Sequence, residues 1–432
     1  MTSAADAPAP HERLFTHCAQ VVTCAGPAAA RRGPQSPEGL GVIPDGAVLV
    51  RGDRIAAVGP RARLEAAHPH AEVVDARGGV LLPGFCDSHT HALFGRPRHA
   101  EQELRAAGTD YMTIAARGGG IHASVRDLRS RDEDALVALG RDRLRRLAMH
   151  GVTTVEVKSG YGLSVEDELK SLRAIRRLAA VAPLRVVPTF LGAHEIPLES
   201  RGDAAARARW LDLLEYELLP AVAEGGLARF ADVFCEPGVY TVPEARRLLQ
   251  AAAARGLGLK LHADELSPSG GAELAAELGA VSADHLGAIS EAGIRALAAA
   301  GTVATLLPHT LMFLGKTAQA PARALLEAGA AVAVATDFNP GTSPTPNFPL
   351  VLTLAVSQLR LQVAEAVLAA TVNGAAALGL AHETGQLAPG FRADLALFEV
   401  EDVREIPYWS GDHRCLATWV AGRPAWRSPG YD

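Results

Sequence analysis

Residues 83–91 read PGFCDSHTH, after an apolar approach, GVLL, at 79–82. In a β-strand successive side chains alternate between faces, so residues two apart share a face. A strand running through this stretch aims His89 and His91 the same way. Two imidazoles side by side at a strand end make half of a metal site, because the neutral ring nitrogen is a common ligand for zinc and other first-row metals. The pair alone decides little, since histidines are also common on surfaces. Its meaning depends on where the remaining His, Asp and Glu residues fall.

Downstream, short apolar runs alternate with longer helical patterns. Strands are expected at 80–86, 152–158, 185–190, 231–235, 258–262, 281–285, 302–307 and 331–336. Helices are expected at 132–149, 165–180, 204–223, 243–255, 271–278, 291–299 and 321–328, with a last helical region over 349–378. Capping residues mark several starts, such as Thr241 and Ser290. Strand–helix alternation indicates a parallel sheet, and eight units indicate an α/β fold closed as a (β/α)8 TIM barrel. The alternative, an open doubly wound sheet, lacks its GxGxxG turn after the first strand.

The two ends differ from the middle. Residues 13–79 read as short strands and turns, with RGDR at 51–54 joining two arms of a hairpin. Residues 386–432 return to β character at 393–398 and 417–420. The expected organisation is a loose tail at 1–12, a barrel over 80–385, and a small β-sandwich domain built jointly from 13–79 and 386–432.

Composition narrows the function. At 432 residues the chain can bury a large core. The net charge of −6 gives no basic surface for nucleic acid or anionic membrane. No uninterrupted apolar run reaches the roughly 18–20 residues of a membrane helix. The five cysteines (18, 24, 86, 235 and 415) are scattered and form no CxxC, which fits a reducing cytoplasm better than a disulfide framework. The first dozen residues lack the basic and apolar regions of a signal peptide.

In a barrel of this kind the active site lies at the C-terminal strand ends. Those ends carry His89 and His91 (first strand), Lys158 and Tyr161 (second), His194 and Glu195 (third), Cys235 and Glu236 (fourth), His262, Asp264 and Glu265 (fifth), Asp284 and His285 (sixth), His309 (seventh) and Asp337 (eighth). His89, His91, His262 and Asp337 would surround one ion and leave a position for water, whose pKa zinc lowers to about 7. Glu265 would move a proton between that water and a leaving nitrogen. Each residue also has a plainer use: Asp337 and Asp264 as helix-capping carboxylates, His262 as a core histidine, His309 as a structural one. A second ion usually needs a bridging ligand; the fourth strand has no lysine to be carboxylated, although Glu236 could in principle bridge. One divalent ion per chain is expected.

The stretches DSHTHALFG (87–95), YMTIAARGGGI (111–121), HGVTTVEVKSGYGL (150–163), TFLGAHEIP (189–197), KLHADEL (260–266), SADHL (282–286) and TDFNPGTSP (336–344) together resemble the amidohydrolase superfamily and, within it, the imidazolonepropionase family. One departure from that pattern is 307–315, with PHTLMFLG in its core and His309 within it. The resemblance implies hydrolysis of the cyclic amide of 4-imidazolone-5-propanoate to N-formimino-L-glutamate, in histidine degradation, by a metal-activated water. It implies zinc or iron on the four ligands, Glu265 as proton carrier and His285 as a hydrogen-bond donor to the developing oxyanion. It further implies Arg98 as the clamp for the propanoate, with Tyr111, Tyr161, His194, Asn339, Gly341 and Thr342 contacting substrate, and a homodimer. The nearest alternative is an amidohydrolase-type deaminase of a heterocyclic base; a more distant one is a catalytically dead barrel kept as a scaffold.

Overall fold

The computed structural model describes residues 11–109, 113 and 118–431. Eight parallel strands follow one another in chain order round one sheet. They are β1 (Phe85–Asp87), β2 (Val152–Lys158), β3 (Arg185–Ala193), β4 (Phe230–Cys235), β5 (Gly258–Ala263), β6 (Ser282–His285), β7 (Val303–Leu306) and β8 (Val332–Val334). The sheet closes just beyond the ends of β1 and β8, through a parallel bridge between Thr90 and Phe338. There the Asp337 N–H donates to the His89 carbonyl and the His91 N–H to the Phe338 carbonyl, each at 3.0 Å. The helices around the sheet are α1 (His99–Ala106), α2 (Ile121–Arg129), α3 (Glu133–Met149), α4 (Val165–Val181), α5 (Ala204–Leu213), α6 (Val242–Ala253), α7 (Gly271–Glu277), α8 (Glu291–Ala300), α9 (Pro308–Phe313) and α10 (Ala322–Glu327), and the last helical region, expected over 349–378, forms three helices, Phe348–Ser357, Val363–Ala370 and Val372–Ala376.

Alternation along each strand sorts the two faces. Val155 and Val157, Ala231 and Val233, and Leu259 and Leu261 point outward into the main apolar core under the helices. Glu156, Lys158, Asp232, Lys260, His262 and Asp284 occupy the alternate positions and are fully or almost fully buried. The far end of the barrel is plugged by Cys86, Val187 and Phe230 packed on Ala375, Leu378 and Leu380.

Two expected elements are revised. The strand foreseen at 80–86 divides at Gly84: Val80–Pro83 belongs to another sheet, and only Phe85–Asp87 enters the barrel. A Cβ at Gly84 would collide with the Thr153 side chain, so only glycine lets the chain cross β2 at this distance. The helix foreseen at 204–223 widens to a π-turn over Leu214–Leu218 before resuming at Leu219–Glu224. Pro220 supplies no N–H and crowds the preceding turn, which loosens the ladder there. Helices α1, α2 and α9, none of them foreseen, occupy loops at the mouth of the barrel.

The chain ends build two further sheets. One has four strands, Arg54–Pro60, Gly46–Arg51, Glu12–Thr16 and Glu72–Asp75. The other has six, in the order Arg423–Arg427, Cys415–Val420, Leu395–Phe398, Val80–Pro83, Gln20–Val22, Val42–Pro44. Val80–Pro83 pairs antiparallel with Leu395–Phe398, so amino- and carboxy-terminal segments share this sheet. Its alternation serves two cores: Leu81, Leu395 and Leu397 face the sandwich, while Val80, Leu82, Ala396 and Phe398 face the barrel. Phe15 and Trp419 close the sandwich edge-to-face, with centroids 4.9 Å apart. Trp419→Ala empties this core; a loss of about 3–5 kcal/mol in denaturant unfolding is expected, with metal content per folded chain unchanged. A loss within experimental error would mean the two sheets do not depend on that contact.

Candidate metal centre and active site

The bonds that close the barrel bring His89 and His91 against Asp337, and β5 places His262 beside them. The Nε2 atoms of His91 and His262 are 3.4 Å apart. Asp337 Oδ1 stands 3.5 Å from His91 Nε2 and 3.6 Å from His89 Nε2. Two ligands each about 2.0–2.1 Å from one tetrahedral ion stand roughly 3.4 Å apart. His89 Nε2 and Asp337 Oδ1 are buried and have no hydrogen-bond partner, an expensive condition that a cation between them relieves. Burial, reinforced for His89 by the Lys158 charge and for His91 by the neighbouring imidazoles, holds both rings well below their ordinary basicity. They are therefore uncharged, as ligands must be.

For His89, His262 and Asp337 the other side-chain atom also has a close polar neighbour, whereas His91 Nδ1 is buried without a hydrogen-bond partner. His89 Nδ1 donates to Asp284 Oδ2 at 2.6 Å. His262 Nδ1 stands 3.0 Å from Asp232 Oδ2, and its backbone N–H donates to Asp232 Oδ1 at 3.1 Å. A carboxylate on Nδ1 fixes the tautomer that turns Nε2 to the ion. Asp337 Oδ2 accepts from Thr310 Oγ1 at 2.6 Å, leaving Oδ1 to face the histidines. Asp232, Asp284 and Thr310 had no assigned role in the sequence reading; the available signal was a lone Asp inside the apolar strand FADVFC.

Beneath the histidines lies a buried ionic network. Lys158 Nζ is 2.7 Å from Asp232 and 2.8 Å from Glu156, and Lys260 Nζ is 3.0 Å from Glu156 and 3.7 Å from Asp284. Two lysines thus oppose Glu156, Asp232, Asp284 and Asp337. Burial pushes the carboxyls of Asp87 and Glu265 up to about 7 and about 8.

Glu265 and His285 face the same space. Burial comes first in raising Glu265, followed by the charges of Asp337 and Glu236. Its loop is held by Asp264, whose carboxylate accepts from the N–H groups of Ser269, Gly270, Gly271 and Ala272, so Asp264 is a capping group. Glu236 accepts from the Ser267 hydroxyl and the Leu266 N–H. His285 Nδ1 lies 3.6 Å from Glu265, while its Nε2 is buried without a partner. Asp264, His285 and Asp337 all have positive φ, at 48°, 79° and 52°. Strained backbone of this kind persists where surrounding structure dictates it, and it gathers at working sites.

The remaining predicted residues line the mouth. His194 stacks on His91 with centroids 4.8 Å apart, and its Nδ1 is 3.0 Å from the Gly160 carbonyl. Tyr161 lies 5.9 Å from the His91 ring and 5.3 Å from that of His194. Asn339 is committed to its own loop: Oδ1 accepts from the N–H groups of Gly341 and Thr342, and Nδ2 donates to the Asp337 carbonyl. Arg98 lies directly over Gly341, where a Cβ would run into its guanidinium. Its side chain, only 7% exposed, has Nε 3.3 Å from Glu101 and donates to Ser124 Oγ at 3.3 Å. His309 joins α9 to this loop through Ser343 Oγ at 2.8 Å, which makes it structural. Tyr111 falls outside the described residues.

An eight-stranded barrel with this His, His, His and Asp set at its mouth is the architecture of the amidohydrolases. The Amidohydrolase family matches residues 80–425, and the chain belongs to it. Within it, the chain belongs to the imidazolonepropionase family. Two relatives of that name carry the assignment: one from Solibacter usitatus is 47% identical over 417 residues, 96% of this chain and 99% of its own, and one from Symbiobacterium thermophilum is 50% identical over 406 residues, 93% and 94%. The imidazolonepropionase-like composite domain of bacteria matches residues 46–71. Among solved structures, a zinc-bound adenosine deaminase from Xanthomonas campestris superposes with a TM-score of 0.68 at 20% identity, covering 97% of this chain and 93% of its own. An E. coli guanine deaminase superposes at 0.69 and 17%, covering 97% and 100%. At such identity these two share the fold.

Thr310→Val frees Asp337 to turn. Metal affinity, measured by competition with a chromogenic chelator, is expected to fall about 10–100-fold; an unchanged affinity would remove Thr310 from the support of the site. Away from the ligands, burial lowers His122 and His309 from 6.5 to about 4. Each stays uncharged in the folded chain at pH 5.5, so the stability it contributes is intact above about 6.5 and drains away as pH falls toward 4. Long-range ¹H–¹⁵N spectra should show neutral rings at pH 5.5, and a titration midpoint near 6.5 would contradict this.

Proposed function

We propose that this enzyme hydrolyses 4-imidazolone-5-propanoate to N-formimino-L-glutamate, a step of histidine degradation. The observation that carries the reading is near full-length similarity to imidazolonepropionases, and the site chemistry supports it independently. One divalent ion, zinc or iron, would be held by His89, His91, His262 and Asp337; when bound it would acidify a water and polarise the ring carbonyl.

The chain's own residues do the rest. Glu265 takes the proton of the attacking water and delivers it to the departing ring nitrogen, a task suited to a carboxyl poised near neutral pH. One C–O bond forms, one ring C–N bond breaks, and one water is consumed. His285 turns its otherwise unpartnered Nε2 to the carbonyl oxygen as negative charge develops there; a preorganised donor in a dry site is effective because it need not reorient. Arg98 binds the propanoate, its fork matching a carboxylate's two oxygens. Tyr111, Tyr161 and His194 line the substrate, and Asn339 shapes the loop from which Gly341 and Thr342 approach it. The enzyme works as a homodimer in the cytoplasm.

Freshly generated substrate, followed by loss of ultraviolet absorbance, tests the reading. Rapid loss that a chelator abolishes, with formiminoglutamate as product, is expected. No loss by metal-loaded protein would reject it, and ammonia release from a nucleobase panel would then favour the deaminase, the reaction named for both solved neighbours. Glu265→Gln should keep the metal and lose about 10²–10⁴-fold in kcat; near-normal turnover would remove Glu265 from the mechanism. Arg98→Ala should raise KM about 10–100-fold with metal retained, whereas loss of metal with KM unchanged would refute the clamp.

A further inference from the structure

Six residues, 92–97, separate His91 from Arg98, and one side chain gathers three of their carbonyls. Arg143, in the middle of α3, donates to the carbonyl oxygens of Ala92 (3.2 Å), Phe94 and Gly95 (2.6 Å). Its guanidinium carbon also lies 3.4 Å from the centroid of the Phe94 ring. Among the described residues no carboxylate forms an ion pair with it; the charges that act on it are those of Arg131 and Arg146, with a smaller opposite effect from Asp127. A largely buried cation without a counter-ion is costly. Here three carbonyls and an aromatic face take the place of the counter-ion, and all four belong to one short loop.

Neighbouring contacts act on the same segment. Asp127, on α2, accepts from the Arg96 N–H at 2.9 Å and is itself held by Arg131 at 2.8 Å. A Cβ on Gly95 would run into the Asp127 carboxylate, so the loop lies hard against α2. At the far end the Arg98 N–H donates to the Pro340 carbonyl at 3.0 Å, in the loop after β8. The segment is therefore fixed at its start, middle and end, and the residue that follows it carries the guanidinium.

We infer that Arg143 is a positioning residue for substrate carboxylate recognition: by gathering the carbonyls of residues 92–95 it sets the place and direction of Arg98. This rests on the reading of Arg98 as the propanoate clamp. Lysine in place of Arg143 keeps the charge but loses the fork that reaches three acceptors and the plane that stacks on Phe94.

The test compares Arg143→Lys in the wild-type enzyme and in Arg98→Ala, with metal content measured throughout. In the wild-type background KM should rise about tenfold or more, with kcat within about threefold and metal unchanged, since displacing a binding group by about 1 Å has effects of that size. In the Arg98→Ala background the same substitution should move KM less than about twofold, because the coupled partner is already gone. Phe94→Leu, which keeps the carbonyl and removes the ring, should shift KM in the same direction by less. An unmoved KM, the same factor in both backgrounds, or metal lost along with affinity would each overturn the assignment. Amide exchange over residues 93–98 reads the loop without substrate: it should accelerate in Arg143→Lys while β2–β5 stay protected, and no acceleration would overturn the role. Wild-type protein inert toward the substrate would reject the proposed reaction instead, with the exchange result still deciding whether Arg143 holds the loop.

Discussion

Two main-chain hydrogen bonds hold this molecule's design together: Asp337 N–H to the His89 carbonyl, and His91 N–H to the Phe338 carbonyl. Each contributes only about 0.5–1.5 kcal/mol net. Yet they close the barrel, and three of the four residues that make them, His89, His91 and Asp337, turn their side chains toward one another. Backbone pairing therefore fixes the distance between the first and last ligands, and no loop has to be ordered separately for that purpose. A loop-borne ligand set would need its own ordering free energy, about 1–2 kcal/mol for each backbone residue fixed.

The closure also explains why the barrel interior can be charged. Barrel interiors are commonly layers of branched apolar side chains. Here Lys158 and Lys260 are wholly buried among Glu156, Asp232 and Asp284. Such groups are tolerated when each finds close partners. Asp284 and Asp232 also orient His89 and His262, so one arrangement partners the buried lysines and aims the imidazoles above them.

The barrel could be read from the sequence because its strands carry strong local signals. The run at 152–158 has period two and clear helical neighbours, and β2 begins and ends where expected. The cluster of His89, His91, His262 and Asp337 was visible because chemistry-bearing residues recur at strand ends, where the fold directs them. What stayed hidden was non-local. Nothing near Val80 announces that it pairs with Phe398. Asp284 sat in view at a strand end, yet its bond to His89 joins residues 195 positions apart. The helices at the mouth were missed because segments of 8, 9 and 6 residues are too short for a helical period to stand out. Arg143 looked like one of many arginines on an amphipathic helix; only the folded path of residues 92–95 gives it acceptors.

The strand Val80–Pro83 carries a consequence for biosynthesis. It leads directly into β1, yet its neighbour Leu395–Phe398 emerges from the ribosome more than three hundred residues later. Contacts so distant in sequence are slow to form. Until they do, a nascent chain presents Leu81 and Leu82 on an unpaired edge, the kind of template that invites association with other chains. The shared sheet thus acts as a completion check: a chain truncated before residue 395 keeps His89, His91, His262 and Asp337, but it lacks the strand that pairs with Val80–Pro83.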